Sequence, residues 1–258
     1  MEVFIRAQQS YPALQPPVEQ ARLINSAVRL LEAFQSGCLT LQKLQHGGTQ
    51  RAEVRYQQVN GAEGGYSVVT ERVSGSRWGS ANIKAGDEIV ISIAEHYSNL
   101  LPWRRLAESA GAALRVADVD DEGRLTPDRI AAVLSKRTKL VAFSHVSNVL
   151  GYINDVRELT ATAKQVGATV VVDGAQGVPH VNVDVQSLGC DFCVFSGHKM
   201  LGPMGTGVVW GRRSLLDAMP PYHVGSNMAH DVTATSATLE RGALKYQAGT
   251  PDVAAQWG

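Results

Sequence analysis

No run of apolar residues in this chain approaches the ~20 that a bilayer crossing demands, and the Met1 end lacks the basic-then-apolar pattern of a secretory signal. Neither a membrane partner nor an exported destination is expected. An excess of positive charge is also missing: 24 Lys+Arg against 24 Asp+Glu sets aside a strongly basic nucleic-acid binder. Cysteine is scarce. Three residues, Cys38, Cys190 and Cys193, are too few and too poorly spaced for a disulfide framework, and a cytoplasmic, reducing location is the default. Cys190-Asp-Phe-Cys193 has C-x-x-C spacing, so a redox or metal role stands against a buried structural one. The flanks read as a strand, in which i and i+3 face opposite ways, and no second Cys or His pair sits nearby; no metal site is expected. Nor does any Gly-x-Gly-x-x-Gly follow a strand and open a helix, which argues against a nucleotide-binding Rossmann domain.

Other absences are local. The first 86 residues contain no aspartate, whereas the remaining 172 contain twelve, and ten of the fifteen glutamines fall in the first 60. Lys43 is the one lysine before Trp78. Ala21 to Phe34 has apolar residues at roughly helical spacing, but no period is sustained from there to Gly75. Residues 1–78 therefore read as an atypical N-terminal segment of uncertain fold, mobile, divergent or out of frame with the rest. Residues 79–258 read as the orderly domain.

From Trp78 onward the chain alternates strands and helices. Glu88 to Ile93, Ala113 to Val119, Lys139 to Phe143, Ala168 to Asp173 and Phe192 to Phe195 read as strands from their β-branched and apolar content. Ser98 to Ala110 reads as a helix with Pro102 in its first turn. Thr126-Pro127-Asp128 is a helix start, with a hydroxyl cap, proline at the first helical position and an acid at the positive end of the dipole. That helix should carry Ile130, Val133 and Leu134 on one face and end by Lys136 or Arg137. Asp155 to Val166 is the next helix, stopped by Gly167. Such alternation predicts an α/β fold, a mostly parallel sheet covered on both faces, with ligands gathering beyond the carboxyl ends of the strands. His96, Asn148, Asp173 and Lys199 all follow such ends, which predicts one shared pocket.

Lys199 sits in Ser196-Gly-His-Lys-Met200, just past a buried strand, and Asp173 closes another, followed by Gly174, Ala175 and Gln176. An aldehyde-bearing pyridine cofactor needs that pair: an amine to bond to the aldehyde, and an acid to keep the ring nitrogen protonated. The plainer alternatives are a solvated loop lysine and a strand-end acid bonded to backbone.

Taken together, Ala94-Glu-His-Tyr-Ser-Asn99, Ser144-His-Val-Ser-Asn-Val-Leu-Gly151, Val172-Asp-Gly-Ala-Gln176 and Phe195-Ser-Gly-His-Lys-Met-Leu-Gly-Pro203 resemble the large-domain motifs of class V aminotransferase-fold enzymes. The nearest resemblance is to cysteine desulfurases of the SufS/selenocysteine lyase group. It runs from about Trp78 to Gly258, and Tyr246-Gln-Ala-Gly-Thr-Pro251 is similar to the family's Phe-Glu-Ala-Gly-Thr-Pro segment. The resemblance implies the large domain of a fold-type I enzyme that binds pyridoxal 5'-phosphate. In it Lys199 holds the cofactor and moves the substrate α-proton, Asp173 pairs with the ring nitrogen, and Gln176 bonds the phenolic oxygen. Ala175 leaves room at one ring face while His96 stacks on the other and acts as an acid or base. Ser196 and His198 bind the phosphate, Asn148 lies near the phenolic oxygen and the substrate, and Thr250 reaches the partner subunit's cofactor in a homodimer. His145 and His180 are expected to be structural.

The implied reaction takes L-cysteine or selenocysteine to alanine, leaving an enzyme persulfide that supplies a sulfur-acceptor protein for iron–sulfur cluster assembly. Two departures weigh on it. Tyr66 to Thr70 stands where the family has a Gly-Thr-Thr-type phosphate turn, and the chain stops at Gly258, before the smaller domain that brings the catalytic cysteine and the carboxylate-clamping arginine. Gly225-Ser-Asn-Met228 also departs from the expected glycine-rich stretch. An impaired fragment is the expectation, with transamination, a β-elimination lyase reaction and a non-catalytic fragment as alternatives.

Overall fold

Short β-branched runs, most of them buried on both faces of one sheet, build the centre of the molecule. The computed structural model describes residues 65–69, 76–202, 206–225 and 228–249. The chain divides into two compact units, residues 1–56 with 149–151 and residues 57–148 with 152–258; every element described belongs to the second. The predicted helix at Ala21 to Phe34, Cys38 and Thr250 lie outside the described residues.

In chain order the elements are β1 (Gly65–Val69), α1 (Ser76–Asn82), β2 (Glu88–Ser92), α2 (Tyr97–Ala110), β3 (Ala113–Ala117), α3 (Pro127–Ala131), β4 (Thr138–Ser144) and α4 (Val156–Lys164). They continue with β5 (Thr169–Asp173), α5 (Gly177–His180), β6 (Phe192–Ser196), a 3-10 turn (Gly197–Met200), β7 (Gly207–Arg212), α6 (Arg213–Ala218), the hairpin β8 (Ala229–Val232) and β9 (Ala237–Leu239), and a second 3-10 turn (Gly242–Tyr246). Seven strands form one sheet in the order β1-β7-β6-β5-β4-β2-β3. The five from β6 to β3 run parallel; β7 is antiparallel to β6, and the edge strand β1 pairs antiparallel with β7 and so runs in the direction of the five. Among the described residues no helix is long and apolar enough to cross a membrane.

Side chains alternate across a pleat, so each strand feeds two cores. Val90, Val141, Phe143, Val170, Val172 and Cys193 pack on one side with Ile130 of α3 and Val156, Leu159 and Ala163 of α4. Ile89, Ile91, Leu140, Ala142, Val171 and Phe192 pack on the other with Trp103, Leu106 and Ala107 of α2. This is the two-sided burial that gives parallel strands continuous apolar sequences.

Several predicted boundaries shift, most by a residue or two and the end of α3 by at least five. Helix α3 begins as read, with Thr126 accepting a bond from the Arg129 N–H and Pro127 first, but stops at Ala131; Val133 and Leu134 continue in turns, half-buried against the core. Pro102 falls deeper inside α2 than its first turn, because that helix already starts at Tyr97. Asp155 is the cap of α4 and not its first residue, and Gly167 supplies the left-handed stop at φ +74°. Cys190 and Cys193 do not face opposite ways: both lie in the same core cluster, since Cys190 precedes β6 and the strand period does not reach it.

Candidate active site at the carboxyl edge of the sheet

Parallel strands put their carboxyl ends on one edge, and four neighbours, β6, β5, β4 and β2, deliver the candidate residues there. Ser144 at the end of β4 stands level with Asp173 at the end of β5, and Asp173 with Val194 of β6. Beyond Ser196 the chain folds into the Gly197–Met200 turn that carries His198, exposed, and Lys199, half-buried. Two bonds fix this turn: Gly197 N–H to Thr206 O at 2.9 Å and Gly202 N–H to Gly197 O at 3.0 Å. Leu201, directly after it, takes the left-handed φ of 65°, a conformation costly for a side chain larger than glycine.

Asp173 is partly enclosed, and burial raises its pKa above the ordinary carboxylate value. Opposing that are the Ala175 N–H, which donates to Asp173 Oδ1 at 2.9 Å, and the charge of Lys199 and, when its ring is protonated, of His96. The structure thus brings Lys199 and His96 within electrostatic reach of Asp173. Its backbone-bonded role coexists with this placement.

His96 is the N-cap of α2. Its Nδ1 accepts from the Ser98 N–H at 3.1 Å, so a neutral ring carries its proton on Nε2. The ring is exposed and tilted against Tyr97 at 6.4 Å between centroids. Ala175 and Gln176 are half-buried between Asp173 and the first residue of α5, and the Gln176 side chain makes no cap bond to that helix. Asn148 is exposed in the loop after β4. His180 is exposed and bonds Gln176 O through Nδ1 at 2.7 Å. His145 is buried, its pKa lowered by that burial, and its ring lies against Gly177 with Nδ1 unpartnered among the described residues.

One residue escaped the sequence reading. Glu95, buried next to His96, accepts from Asn99 Nδ2 at 2.6 Å on one oxygen and from the Ser144 N–H at 2.9 Å on the other. Asn99 Oδ1 in turn accepts from Trp103 Nε1 at 2.9 Å. Burial pushes the Glu95 carboxyl up to about 7. The spacing Glu95, Asn99, Trp103 is a helix ladder of i, i+4 steps, and that was the available signal.

A parallel-centred sheet with a lysine, an acid and a histidine on its carboxyl edge defines the large domain of the fold-type I enzymes. The family model described as aminotransferase class-V matches residues 73–258, and the chain belongs to that family. It is 48% identical over 177 residues to a cysteine desulfurase of Synechococcus elongatus, covering 69% of this chain and 28% of that protein. Among solved structures, the Escherichia coli cysteine desulfurase CsdA superposes with a TM-score of 0.69 at 35% identity, covering 73% of this chain and 49% of that one. The apo cysteine desulfurase of Thermococcus onnurineus NA1 gives 0.68 at 39% identity, covering 73% and 48%. The chain therefore spans half or less of the length of these relatives.

Proposed function

We propose that this chain is the cofactor-binding domain of a cysteine desulfurase that uses pyridoxal 5'-phosphate and acts on L-cysteine or selenocysteine. The observation that supports it is the placement of Asp173 within Coulombic reach of both Lys199 and His96, on strand ends inside the family's own match. The donor set suits a phosphorylated, aldehyde-bearing pyridine: one half-buried amine, one shielded acid, small residues between them, and hydroxyl and imidazole donors in the turn that holds the amine.

When bound, the cofactor supplies an electron-accepting ring that stabilises the charge left by α-proton removal. Lys199 would hold it through its amine and, once released, take the α-proton at Nζ. Asp173 would accept from the ring N–H and keep that proton in place, a task its burial strengthens by excluding competing water. His96, with Nδ1 occupied by the Ser98 N–H, has Nε2 for giving or taking a proton. Ser196 and His198 would bind the phosphate, Gln176 and Asn148 the phenolic oxygen and substrate, and Ala175 would leave one ring face open. Thr250 is assigned to the partner's cofactor in a homodimer, and the sulfur to an acceptor protein serving iron–sulfur cluster assembly in the cytoplasm.

Transfer of sulfur to an enzyme persulfide needs a thiolate. Burial pushes the Cys190 thiol up to about 12, with Asp191 adding to it, and pushes the Cys193 thiol up as well, so neither can be the attacking sulfur. The alternative reading, transamination or β-elimination, needs no protein thiolate. Product analysis separates them: alanine with transferable sulfur marks the desulfurase, a keto acid marks the others.

The binding proposal is tested by adding pyridoxal phosphate to the purified chain and reducing with borohydride. The expected result is a visible band shifted from that of free cofactor and a pyridoxyl group on the Lys199 peptide, both lost in Lys199→Ala. A band that survives in Lys199→Ala, or a label on another lysine, overturns it.

A further inference from the structure

Glu95 makes no bond to Lys199 or the turn around it, yet it is a buried acid that joins two of the strand ends forming the site. Its Oε1 takes the Ser144 backbone N–H at the end of β4, and Ser144 Oγ lies at 3.4 Å. Its Oε2 takes Asn99 Nδ2 from the first turn of α2. The Asn99 backbone N–H also donates to His96 O at 2.8 Å, so the same residue grips the His96 turn from behind. The direction of this chain of bonds is forced. Trp103 Nε1 is a donor only, so Asn99 must turn its oxygen to Trp103 and its amide N–H to Glu95, and the backbone N–H of Ser144 can only donate. Glu95 must therefore accept at both oxygens, which a carboxyl group can do and a carboxamide cannot.

We infer that Glu95 is a positioning residue, whose two acceptor oxygens lock the His96 turn onto the end of β4 and so hold His96 beside Asp173. This rests on the proposed cofactor site for its purpose but not for its geometry. Asp173 is the other titratable group whose charge reaches Glu95, and it raises the Glu95 pKa further.

Glu95→Gln sets an amide N–H against a donor at one oxygen position or the other. One unsatisfied buried donor costs enough to weaken pyridoxal phosphate binding about tenfold. Asn99→Asp in the same chain supplies a second acceptor. The carboxylate introduced at position 99 would accept from the carboxamide introduced at position 95 on one oxygen and from Trp103 Nε1 on the other, while the carboxamide oxygen keeps the Ser144 N–H. The double variant E95Q/N99D is therefore expected to recover binding to within about twofold of the parent chain, whereas N99D alone sets two acids against each other and is expected to be impaired.

A readout that needs no cofactor accompanies these titrations. Imidazole nitrogen shifts of the apo protein, measured by NMR, are expected to show one His96 tautomer with Nδ1 unprotonated in the parent chain, a mixture in E95Q, and the single tautomer again in E95Q/N99D. If that pattern holds while no chain binds pyridoxal phosphate, the cofactor reading fails and the positioning role stands. A folded E95Q that keeps both the single tautomer and full affinity overturns the inference, as does a folded double variant that recovers neither. Should E95Q and the double variant both fail to fold, Asn99→Ala removes the side-chain donor to Glu95 Oε2 and leaves the backbone N–H of position 99 on His96 O. An N99A chain that keeps the parent tautomer and affinity then overturns the inference.

Discussion

At the scale of single residues, burial decides what each ionisable group can do. Glu95 and Asp173 both lie where water is scarce, and desolvation raises both pKa values before any partner acts. For Glu95 the folded value of about 7 lies above the ordinary 4.5, so its contribution to stability is fully present below about pH 4.5 and is lost as pH rises through 7. Measured against Glu95→Gln, which does not titrate, the apo parent chain is expected to be relatively more stable on the acid side by up to about 3 kcal/mol, a margin that shrinks toward alkaline pH. Denaturant unfolding across that range checks the sign; a parent chain that gains on the Glu95→Gln variant as pH rises contradicts it. Cys190 and Cys193 follow the same rule with a different consequence, since burial keeps their thiols protonated and inert. Alkylation at neutral pH is expected to spare the Cys190 and Cys193 peptides in the native chain and to label both after denaturation, and rapid native labelling of either would contradict their exclusion as nucleophiles.

Elements meet closely where a side chain is missing. A Cβ at Gly177, the first residue of α5, would come within 2.6, 2.8 and 2.9 Å of three ring and Cβ atoms of His145. Gly177→Ala is expected to destabilise the chain by about 1–3 kcal/mol, because the buried ring has nowhere to retreat. Thermal or denaturant unfolding measures it, and a neutral substitution would mean that α5 is not seated against the β4 loop. The elements themselves were largely legible in the sequence. Buried parallel strands announce themselves as runs such as Ala168 to Asp173, and Thr126-Pro127 and Gly167 mark helix ends by backbone chemistry alone. What could not be read was how far a helix runs once its start is known. Ala131 ends α3 because the following residues turn to fill the core with Val133 and Leu134, a demand that comes from α4 and the sheet. Glu95 was hidden for a related reason: its decisive partner, Ser144, is distant in sequence and becomes a neighbour only when β2 pairs with β4.

Across the whole described sheet, the two ends have different work. At the amino ends, charges stitch elements together. Glu88, opening β2, is held by Ser135 Oγ at 2.6 Å, Arg137 and Arg115, which together keep its pKa below the usual carboxylate value against the cost of burial. Asp191, just before β6, takes the Val170 N–H of β5 at 2.8 Å, Lys164 of α4 and Arg212 of β7. At the carboxyl ends the acid Asp173 has no such tight ion pair among the described residues, and Lys199, with His96 when its ring is protonated, acts on it from a distance. That contrast is what a site open to a ligand looks like beside a site closed on itself.

The most direct measurement is a crystal structure of this chain grown with pyridoxal phosphate, refined without restraint between ligand and protein. One pyridine ring bonded through its aldehyde carbon to Lys199 Nζ, with its ring nitrogen hydrogen-bonded to the Asp173 carboxyl, is the expected result. A ring bound elsewhere, or Lys199 and Asp173 opening into separate cavities that no single ring can span, would contradict it.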